Sequence, residues 1–216
     1  MELFYGAFSG LCQNIVGFPL DTIKVLKQNN MGFKYNNPLR YYHGFSYSTT
    51  SQIVTTSLNF FLLHKIDDYI KNKYISGFFT GVLITPCVFV FEVGKIKNQV
   101  SNKRIKIDFQ DVLSTKGKGT TLVRESIALS IYFGVYYQLK NKLSDFHAGG
   151  IAGMCNWFFT YPLDIIKTRQ MTYYLDFKKA YKMGNLTQGF AVCLLRAYIV
   201  NAVGFQSYEY AKILLN

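Results

Sequence analysis

The sequence predicts an all-α membrane protein in which six transmembrane helices form three tandem two-helix repeats. Three observations lead to this fold class: a low content of charged residues, six long apolar segments, and a motif that recurs three times at constant spacing. Charged residues make up 17% of the 216 residues, against about a quarter in a typical soluble domain. The low charge content argues against a disordered chain, and the net charge of +12 indicates an anionic partner.

Six stretches reach the length of a membrane-spanning helix, which needs about 17–25 mostly apolar residues. In chain order they cover approximately 3–20, 45–63, 74–93, 120–139, 146–166 and 189–210. The first, third and fifth contain a glycine pair, the second is rich in Ser and Thr, and the fourth and sixth each contain one arginine. This mixture is typical of helices with one face on lipid and the other on water or protein. The long uncharged runs argue against a soluble helical protein.

A motif of two glycines, an acid and a lysine occurs three times in register. Its first copy consists of Gly6, Gly10, Asp21 and Lys24. The other two copies consist of Gly77, Gly81, Glu92 and Lys95, and of Gly149, Gly153, Asp164 and Lys167. The acids lie 71 and 72 residues apart, and Phe61, Phe133 and Phe205 keep the same period. The spacing predicts one domain of three repeats at approximately 1–72, 73–144 and 145–216.

The acidic part of this motif resembles the signature of mitochondrial carriers, Pro-x-Asp/Glu-x-x-Lys/Arg, which occurs at the end of each odd-numbered helix. The chain has Pro-Leu-Asp-Thr-Ile-Lys at 19–24 and Pro-Leu-Asp-Ile-Ile-Lys at 162–167. The second copy departs from the signature, because Val90 takes the proline position and Pro86 lies four residues earlier. The resemblance covers the whole chain, and the short repeats make it similar to carriers of giant viruses.

Membership of this family would imply a pseudo-threefold helix bundle around a central cavity, embedded as a multi-pass monomer in the mitochondrial inner membrane. The family exchanges solutes by alternating access and is not a family of enzymes. At one end of the cavity it has a matrix gate, in which the motif acids and lysines pair across repeats. The pairs expected here are Asp21–Lys95, Glu92–Lys167 and Asp164–Lys24, supported by Gln28 and Gln99.

The resemblance implies a second, cytoplasmic gate at the ends of the even-numbered helices. The residues expected there are Lys65, Asp68, Tyr137, Lys140, Glu209 and Lys212. In the first repeat the charges of Lys65 and Asp68 are reversed, and a one-residue shift, favoured by residues 58–60, would place His64 and Asp67 there instead. In both registers only Lys140 and Glu209 form a standard pair. We therefore expect a weak cytoplasmic gate and a preference for the state open to the intermembrane space.

Two arginines within the apolar segments are the main candidates for substrate binding. Arg124 and Arg196 each lie 16 residues before a helix-end lysine, which corresponds to a depth of about 24 Å. Buried charges of this kind are usually functional, and arginine favours phosphate and carboxylate groups. Both match the family's substrate contact points, and the first-repeat equivalent is Gln52, or Ser51 in the shifted register. The expected substrate-binding residues are Asn14, Gln52, Arg124, Glu125 and Arg196.

An anionic solute, and first a nucleotide or deoxynucleotide, is the expected substrate. Arg124 and Glu125 also resemble a pair found in amino-acid carriers, so a carrier of an amino acid or carboxylate is an alternative. A structural pair between the two residues is possible, although adjacent residues on a helix point in different directions. A membrane protein that resembles a carrier but does not transport is a further alternative.

The remaining features concern lipids and cofactors. Most basic residues follow the odd-numbered helices, which places that side inward by the positive-inside tendency. Gly44, Gly117 and Gly189 resemble the helix-start glycines that bind cardiolipin in this family. The three histidines have no nucleophile or metal partner in the sequence, so we expect no enzyme activity, no metal and no cofactor. The apolar segments argue against a nucleic-acid partner.

Overall fold

A computed structural model describes residues 2–28, 45–100, 109–187 and 189–215, and within these ranges all regular secondary structure is helical. Side chains are described within 3–18, 48–94, 110–187 and 189–214. The helices are α1 (Glu2–Gln28), α2 (Phe45–Ile70), α3 (Lys73–Val100), α4 (Phe109–Ser114), α5 (Lys118–Leu139), α6 (Asp145–Tyr173), α7 (Phe177–Lys182) and α8 (Phe190–Leu215). The predicted all-α class is confirmed.

The long helices pack as a closed ring. In chain order α1, α2, α3, α5, α6 and α8 each contact the next, and α8 contacts α1. The short helices α4 and α7 lie against α3 and α6, within the segments that lead from each of these helices to the next long one. The ring therefore has two ends. The end at which α1, α3 and α6 finish is here called the motif end, and the opposite end, at which α2, α5 and α8 finish, the aromatic end.

The glycine pairs explain how neighbouring helices approach each other so closely. A Cβ atom placed on Gly6 of α1 would lie 2.6 Å from Ser57 Cα of α2. A Cβ atom on Gly81 of α3 would lie 2.5 Å from Ser126 Cα of α5. Such distances are shorter than van der Waals contact, so only glycine fits at these positions. Two glycines four residues apart lie on the same face of a helix, so this face has no side chains that would keep the next long helix away.

Two helices among the described residues are long and apolar enough to cross a membrane by length and composition, over Lys73–Gly94 and Phe190–Leu214. The sequence predicts six such helices. The other long helices have the length but fall below this hydropathy, because they hold polar side chains. In α5, for example, the buried residues include Thr121, Arg124, Glu125 and Ser126. These side chains face other parts of the protein, where their polarity can be satisfied.

The aromatic end contains the main apolar core. Phe60, Phe133 and Phe205 come from α2, α5 and α8, and each is at most 3% exposed. The Phe60 ring centroid lies 5.6 Å from that of Phe133 and 5.8 Å from that of Phe205. The 72-residue period predicts Phe61 at this place, whereas Phe61 is only partly buried. The first repeat therefore follows the register that is shifted by one residue.

Candidate substrate cavity and its two ends

A cavity of about 280 Å³ lies within the ring and is lined by side chains from all three repeats. Four of the five predicted substrate-binding residues line it, namely Gln52, Arg124, Glu125 and Arg196. The other polar lining residues are Gln13, Ser51, Thr55, Thr56, Asn59, Glu92, Asn156 and Asn201. The aromatic lining residues are Phe60, Phe91, Tyr132, Phe133 and Trp157. Polar and aromatic surfaces thus face the same space.

Arg124 is held by several partners. Its guanidinium contacts the carboxylate of Glu125 on the same helix, and its Nε lies 3.7 Å from Asp164 Oδ1 of α6. The guanidinium carbon also lies 4.9 Å from the centre of the Trp157 ring, a distance at which the ring face attracts a cation. We expected the adjacent residues Arg124 and Glu125 to point apart, and this was wrong. Both side chains are long enough to turn back and meet, so the pair that the sequence left as an alternative is present.

The motif end of the cavity contains a network of charges around Lys167. Lys167 Nζ lies 2.6 Å from Glu92 Oε1, 3.5 Å from Asp164 Oδ1 and 3.9 Å from Glu125 Oε1. The residue is only 2% exposed, and a buried ammonium group of this kind needs such partners. The network joins α3, α5 and α6. The structure thus brings together Glu92 and Lys167, one of the three cross-repeat pairs expected from the sequence.

The aromatic end is closed by stacked rings beneath one ion pair. The Tyr136 ring stacks on Phe205 with centroids 3.5 Å apart, and Phe60 stacks on Tyr208 at 3.9 Å. Lys140 contacts Glu209 here, and the Tyr136 hydroxyl lies 3.2 Å from Glu209 Oε1. The sequence predicts that this end is weakly held and that the state open on this side is preferred, and this stays a prediction. Among the described residues, ring packing and the single ion pair of Lys140 with Glu209 join α2, α5 and α8 here.

Comparisons with known proteins agree with this architecture. A family model described as "Mitochondrial carrier protein" matches residues 141–216. The mouse mitochondrial carnitine/acylcarnitine carrier protein is 26% identical over 283 aligned positions, which cover 100% of this chain and 94% of the relative. The Schizosaccharomyces pombe glutamate/glycine mitochondrial carrier ymc1 is 27% identical, covering 96% and 92%, and the Arabidopsis thaliana mitochondrial arginine transporter BAC2 is 24% identical, covering 97% and 90%.

These matches support membership of the mitochondrial carrier family. Carriers of this family are transporters and not enzymes, and the assignment implies an integral protein of the mitochondrial inner membrane. The alignment with the mouse relative spans 283 positions, which exceeds the 216 residues of this carrier. The relative therefore contains residues that this carrier lacks. The short α4 and α7, of six residues each, lie in the connections from α3 to α5 and from α6 to α8.

Several expected gate residues of the carrier lie outside the residues with described side chains. They are Asp21, Lys24, Gln28, Lys95 and Gln99. The pairs Asp21–Lys95 and Asp164–Lys24 therefore stay predictions. Gly44 also lies outside the described residues. Gly117 and Gly189 immediately precede α5 and the last helical segment, with φ angles of 103° and 78°. Only glycine adopts this left-handed backbone without strain, so both helix starts depend on it.

The first repeat contributes differently to the aromatic end than the sequence predicts. Lys65 and Asp68 are exposed and do not join the pair of Lys140 and Glu209. Instead Asp67 Oδ2 lies 2.5 Å from Lys73 Nζ, which ties the end of α2 to the start of α3. The reason is the shifted register of α2, since one residue turns a helix by about 100° and moves neighbouring side chains to another face.

Two further expected residues of this region have other contacts. Tyr137 lies beneath Lys73, with Nζ 4.1 Å from its ring centre, and the neighbouring Tyr136 takes the position beside Glu209. Lys212 lies in the last turn of α8 and forms no ion pair with any residue that the structure describes. Of the expected gate residues, only Lys140 and Glu209 pair with each other within the described part of the chain, and Lys140 Nζ also lies 3.8 Å from Asp145 Oδ1 at the start of α6.

Asn14 does not line the cavity. It is 5% exposed, its Nδ2 donates to Thr49 Oγ1 at 2.6 Å, and its Oδ1 accepts from Ser48 Oγ at 3.1 Å. Both ends of the amide are thus used to pack α1 against α2. The adjacent Gln13, which the sequence reasoning missed, lines the cavity instead. A polar residue within an apolar segment was the available signal, but it could not distinguish two neighbouring amides.

Proposed function

We propose that this carrier exchanges a zwitterionic solute of the amino-acid type across the mitochondrial inner membrane. One observation supports this substrate class above the others. Among the residues with described side chains, the charged ones that line the cavity are Glu92, Arg124, Glu125 and Arg196, and their formal charges sum to zero. A nucleotide with several negative charges would meet no net positive charge there, whereas a zwitterion would find both signs.

The geometry gives each end of a zwitterion a partner. Arg196 lines the cavity from α8, and in this proposal it binds the solute carboxylate. The carboxylates of Glu92 and Glu125 bind its positively charged nitrogen. Arginine suits the first role because its planar guanidinium forms two parallel hydrogen bonds with a carboxylate. The cavity volume of about 280 Å³ lies near the lower limit of ligand pockets, about 300–1,000 Å³.

The named substrates of the relatives support the same class. Their names refer to carnitine and acylcarnitine, to glutamate and glycine, and to arginine. Each of these solutes has a carboxylate and a positively charged nitrogen. The nucleotide expected from the sequence has no such support, and it becomes the main competing outcome of the transport experiment.

Transport would follow the alternating-access scheme of the family. In this proposal the six long helices span the membrane as a pseudo-threefold monomer built from repeats at 1–72, 73–144 and 145–216. The motif end forms the matrix gate and the aromatic end the cytoplasmic gate in this proposal. In this proposal the free backbone N–H groups that follow Gly117 and Gly189, at the starts of α5 and α8, bind cardiolipin phosphates. The same role for Gly44 stays a prediction from the sequence.

The proposal is tested by exchange in liposomes. The purified carrier is reconstituted, and homo-exchange is measured for L-arginine, L-ornithine, L-glutamate, L-carnitine, ATP and dATP. We expect exchange of at least one zwitterion and none of the nucleotides. Exchange of ATP or dATP alone would contradict the substrate class, and absence of all exchange would contradict transport.

Variants of the two charged groups test the assignment of roles. Arg196→Ala removes a charged hydrogen-bonding partner, worth about 1.5–3 kcal/mol, so the KM for the zwitterion should rise by about 10- to 100-fold. Glu125→Gln should raise the KM for the same zwitterion as well. Lys65→Ala is the matched control, because Lys65 is an exposed cation at the end of α2. An unchanged KM in Arg196→Ala would refute its role.

A further inference from the structure

The carboxylate of Asp67, near the end of α2, ties the first repeat to the second at the aromatic end. Asp67 Oδ2 lies 2.5 Å from Lys73 Nζ, and Asp67 Oδ1 accepts a hydrogen bond of 3.1 Å from Ser76 Oγ. Both partners lie in the first turn of α3. The side chains of Asp67 and Lys73 are only 20% and 32% exposed, so salt and water screen their attraction incompletely. Both residues lie outside the cavity lining.

A short, capped connection between α2 and α3 adds to this tie. It consists of Lys71 and Asn72 alone. The Asn72 side-chain oxygen accepts hydrogen bonds from the backbone N–H groups of Tyr74 and Ile75, at 3.1 and 3.3 Å, as is typical of a helix N-cap. By contrast, the connection from α5 to α6 spans residues 140–144. At this end α2 and α3 therefore have little freedom to separate.

Lys73 extends the tie to α5. Its Nζ lies 4.1 Å from the centre of the Tyr137 ring, where the face of the ring attracts a cation. On the same helix, Ser130 Oγ donates a hydrogen bond of 2.9 Å to the Tyr74 carbonyl oxygen of α3. A Cβ atom on Gly134 would collide with the Tyr74 ring, so this ring fills the space beside the glycine. At the aromatic end α2, α3 and α5 thus form one unit, here called the clamped unit.

The contacts between α8 and the clamped unit are of another kind. In the chain, α8 is adjacent to none of the three helices of the unit. Its contacts with them at this end include the ion pair of Glu209 with Lys140 and stacked rings such as Phe205 on Tyr136. Moving α8 away parts uncharged rings and breaks one ion pair. Moving α2 away from α3 would instead deprive a partly buried carboxylate of both its partners, which is costly.

We propose that Asp67 and Lys73 are positioning residues for transport, which hold the clamped unit together so that the aromatic end opens between this unit and α8. The inference rests on the proposed function, but it holds for any solute that the carrier exchanges. Because Asp67 is bound to α3 through both of its oxygens, a movement of α2 also moves α3, and the close packing of α3 carries α5 along. The three repeats then contribute unequally, since the first two move as one body against α8 of the third.

Cross-links between pairs of cysteines test which boundary opens. One variant combines Asp67→Cys with Lys73→Cys, and the other combines Lys140→Cys with Glu209→Cys. In both pairs the native side chains are in contact. Each variant is reconstituted in liposomes and treated with a short bifunctional thiol reagent, and mass spectrometry confirms the link. Exchange, and efflux without a counter-substrate, are measured before and after treatment with the solute that the wild type exchanges best.

The two links should have opposite effects. Before treatment, both variants should show efflux raised about fivefold to tenfold, as for the loss of one charged contact. The link between positions 67 and 73 should return efflux to the wild-type value and retain exchange, because this boundary stays together during transport. The link between positions 140 and 209 should abolish exchange, because it joins two parts that have to separate.

Two controls account for the reagent. The wild type treated in the same way shows the effect of linking or modifying its native cysteines. The combination of Asp68→Cys with Lys71→Cys places thiols on exposed neighbours of Asp67 and Lys73, and it should change neither exchange nor efflux before or after treatment.

Asp67→Asn tests the same inference without a reagent, and it decides the matter where a cysteine pair does not fold. It keeps the shape of the side chain and removes the charge that holds Lys73. We expect efflux without a counter-substrate to rise about fivefold relative to exchange, with an unchanged KM, whereas Asp68→Asn should behave as the wild type. A purely structural loss would lower the Tm and the amount of active carrier without changing the ratio of efflux to exchange.

Three results would overturn the inference while the proposed function stands. They are loss of exchange on linking positions 67 and 73, exchange that survives the link between positions 140 and 209, and wild-type efflux in Asp67→Asn. A wild-type protein that exchanges none of the solutes would overturn both the inference and the proposed function.

Discussion

Replacing Arg124 with alanine should destabilise the carrier strongly. Arg124 is 8% exposed and is the cation nearest to Glu125, and the side chain of Asp164, 3.7 Å away, is 16% exposed. Removal of one partner from a buried ion pair costs about 3–5 kcal/mol, because the remaining charge stays buried. Lys167 remains within 3.9 Å of both carboxylates, so the lower value of about 3 kcal/mol applies.

This loss can be measured as a shift of the melting temperature in detergent. A change of 1 kcal/mol moves the Tm of a protein of 150–250 residues by about 2–4 °C, so Arg124→Ala should lower it by about 6–12 °C. The double variant Arg124→Met, Glu125→Leu removes both charges and should recover most of this difference. Two results would refute the buried pair. One is a double variant whose loss of Tm equals the sum of the losses of the two single variants, and the other is a Tm of Arg124→Ala within about 2 °C of the wild type.

Three further predictions concern packing, pH and backbone conformation. Gly81→Ala forces a Cβ to 2.5 Å from the backbone of α5 and should cost about 1–3 kcal/mol of stability. Gly119→Ala is the control, because the space around Gly119 is open and the variant should keep its stability. Thermal unfolding of both variants measures the difference. Lys116 Nζ, 2.6 Å from Asp176 Oδ1, holds the pKa of Asp176 below its ordinary value. Its small contribution to stability is therefore present at neutral pH and is lost as the pH falls through that lowered pKa, so the Tm difference between the wild type and Lys116→Ala should vanish in acid. Gly189→Ala places a side chain at a φ of 78° and should lower stability by about 1 kcal/mol, seen as a lower Tm.

The motif predicted the positions of the helices well, because its parts lie along single helices. An acid and a lysine three residues apart share a face of any helix, and the resemblance to mitochondrial carriers implied the pairing of Glu92 with Lys167 across repeats, which the structure contains. The glycine pairs likewise predicted close helix contacts. These features depend only on helical geometry within a repeat and on the constant period between repeats.

The sequence was less informative where a result depends on the rotation of one helix. Phe60 and Phe61 are both aromatic, and Gln13 and Asn14 are both amides, so either member of each pair satisfies the pattern. A difference of one residue corresponds to about 100° around the helix axis, and packing against the neighbouring helices decides it. The contact of Arg124 with Glu125 depends on side-chain torsions, which the sequence pattern does not specify.

Closure of the aromatic end by stacked rings has a consequence for how external conditions affect it. Salt weakens attractions between charges, and a membrane voltage does work only on charges that move. Uncharged rings such as Phe60, Phe133 and Phe205 are held by dispersion forces and by exclusion of water. Neither the screening by salt nor a membrane voltage acts directly on these contacts. A change of salt or voltage would therefore act at this end on the ion pair of Lys140 with Glu209 and only weakly on the ring layer itself.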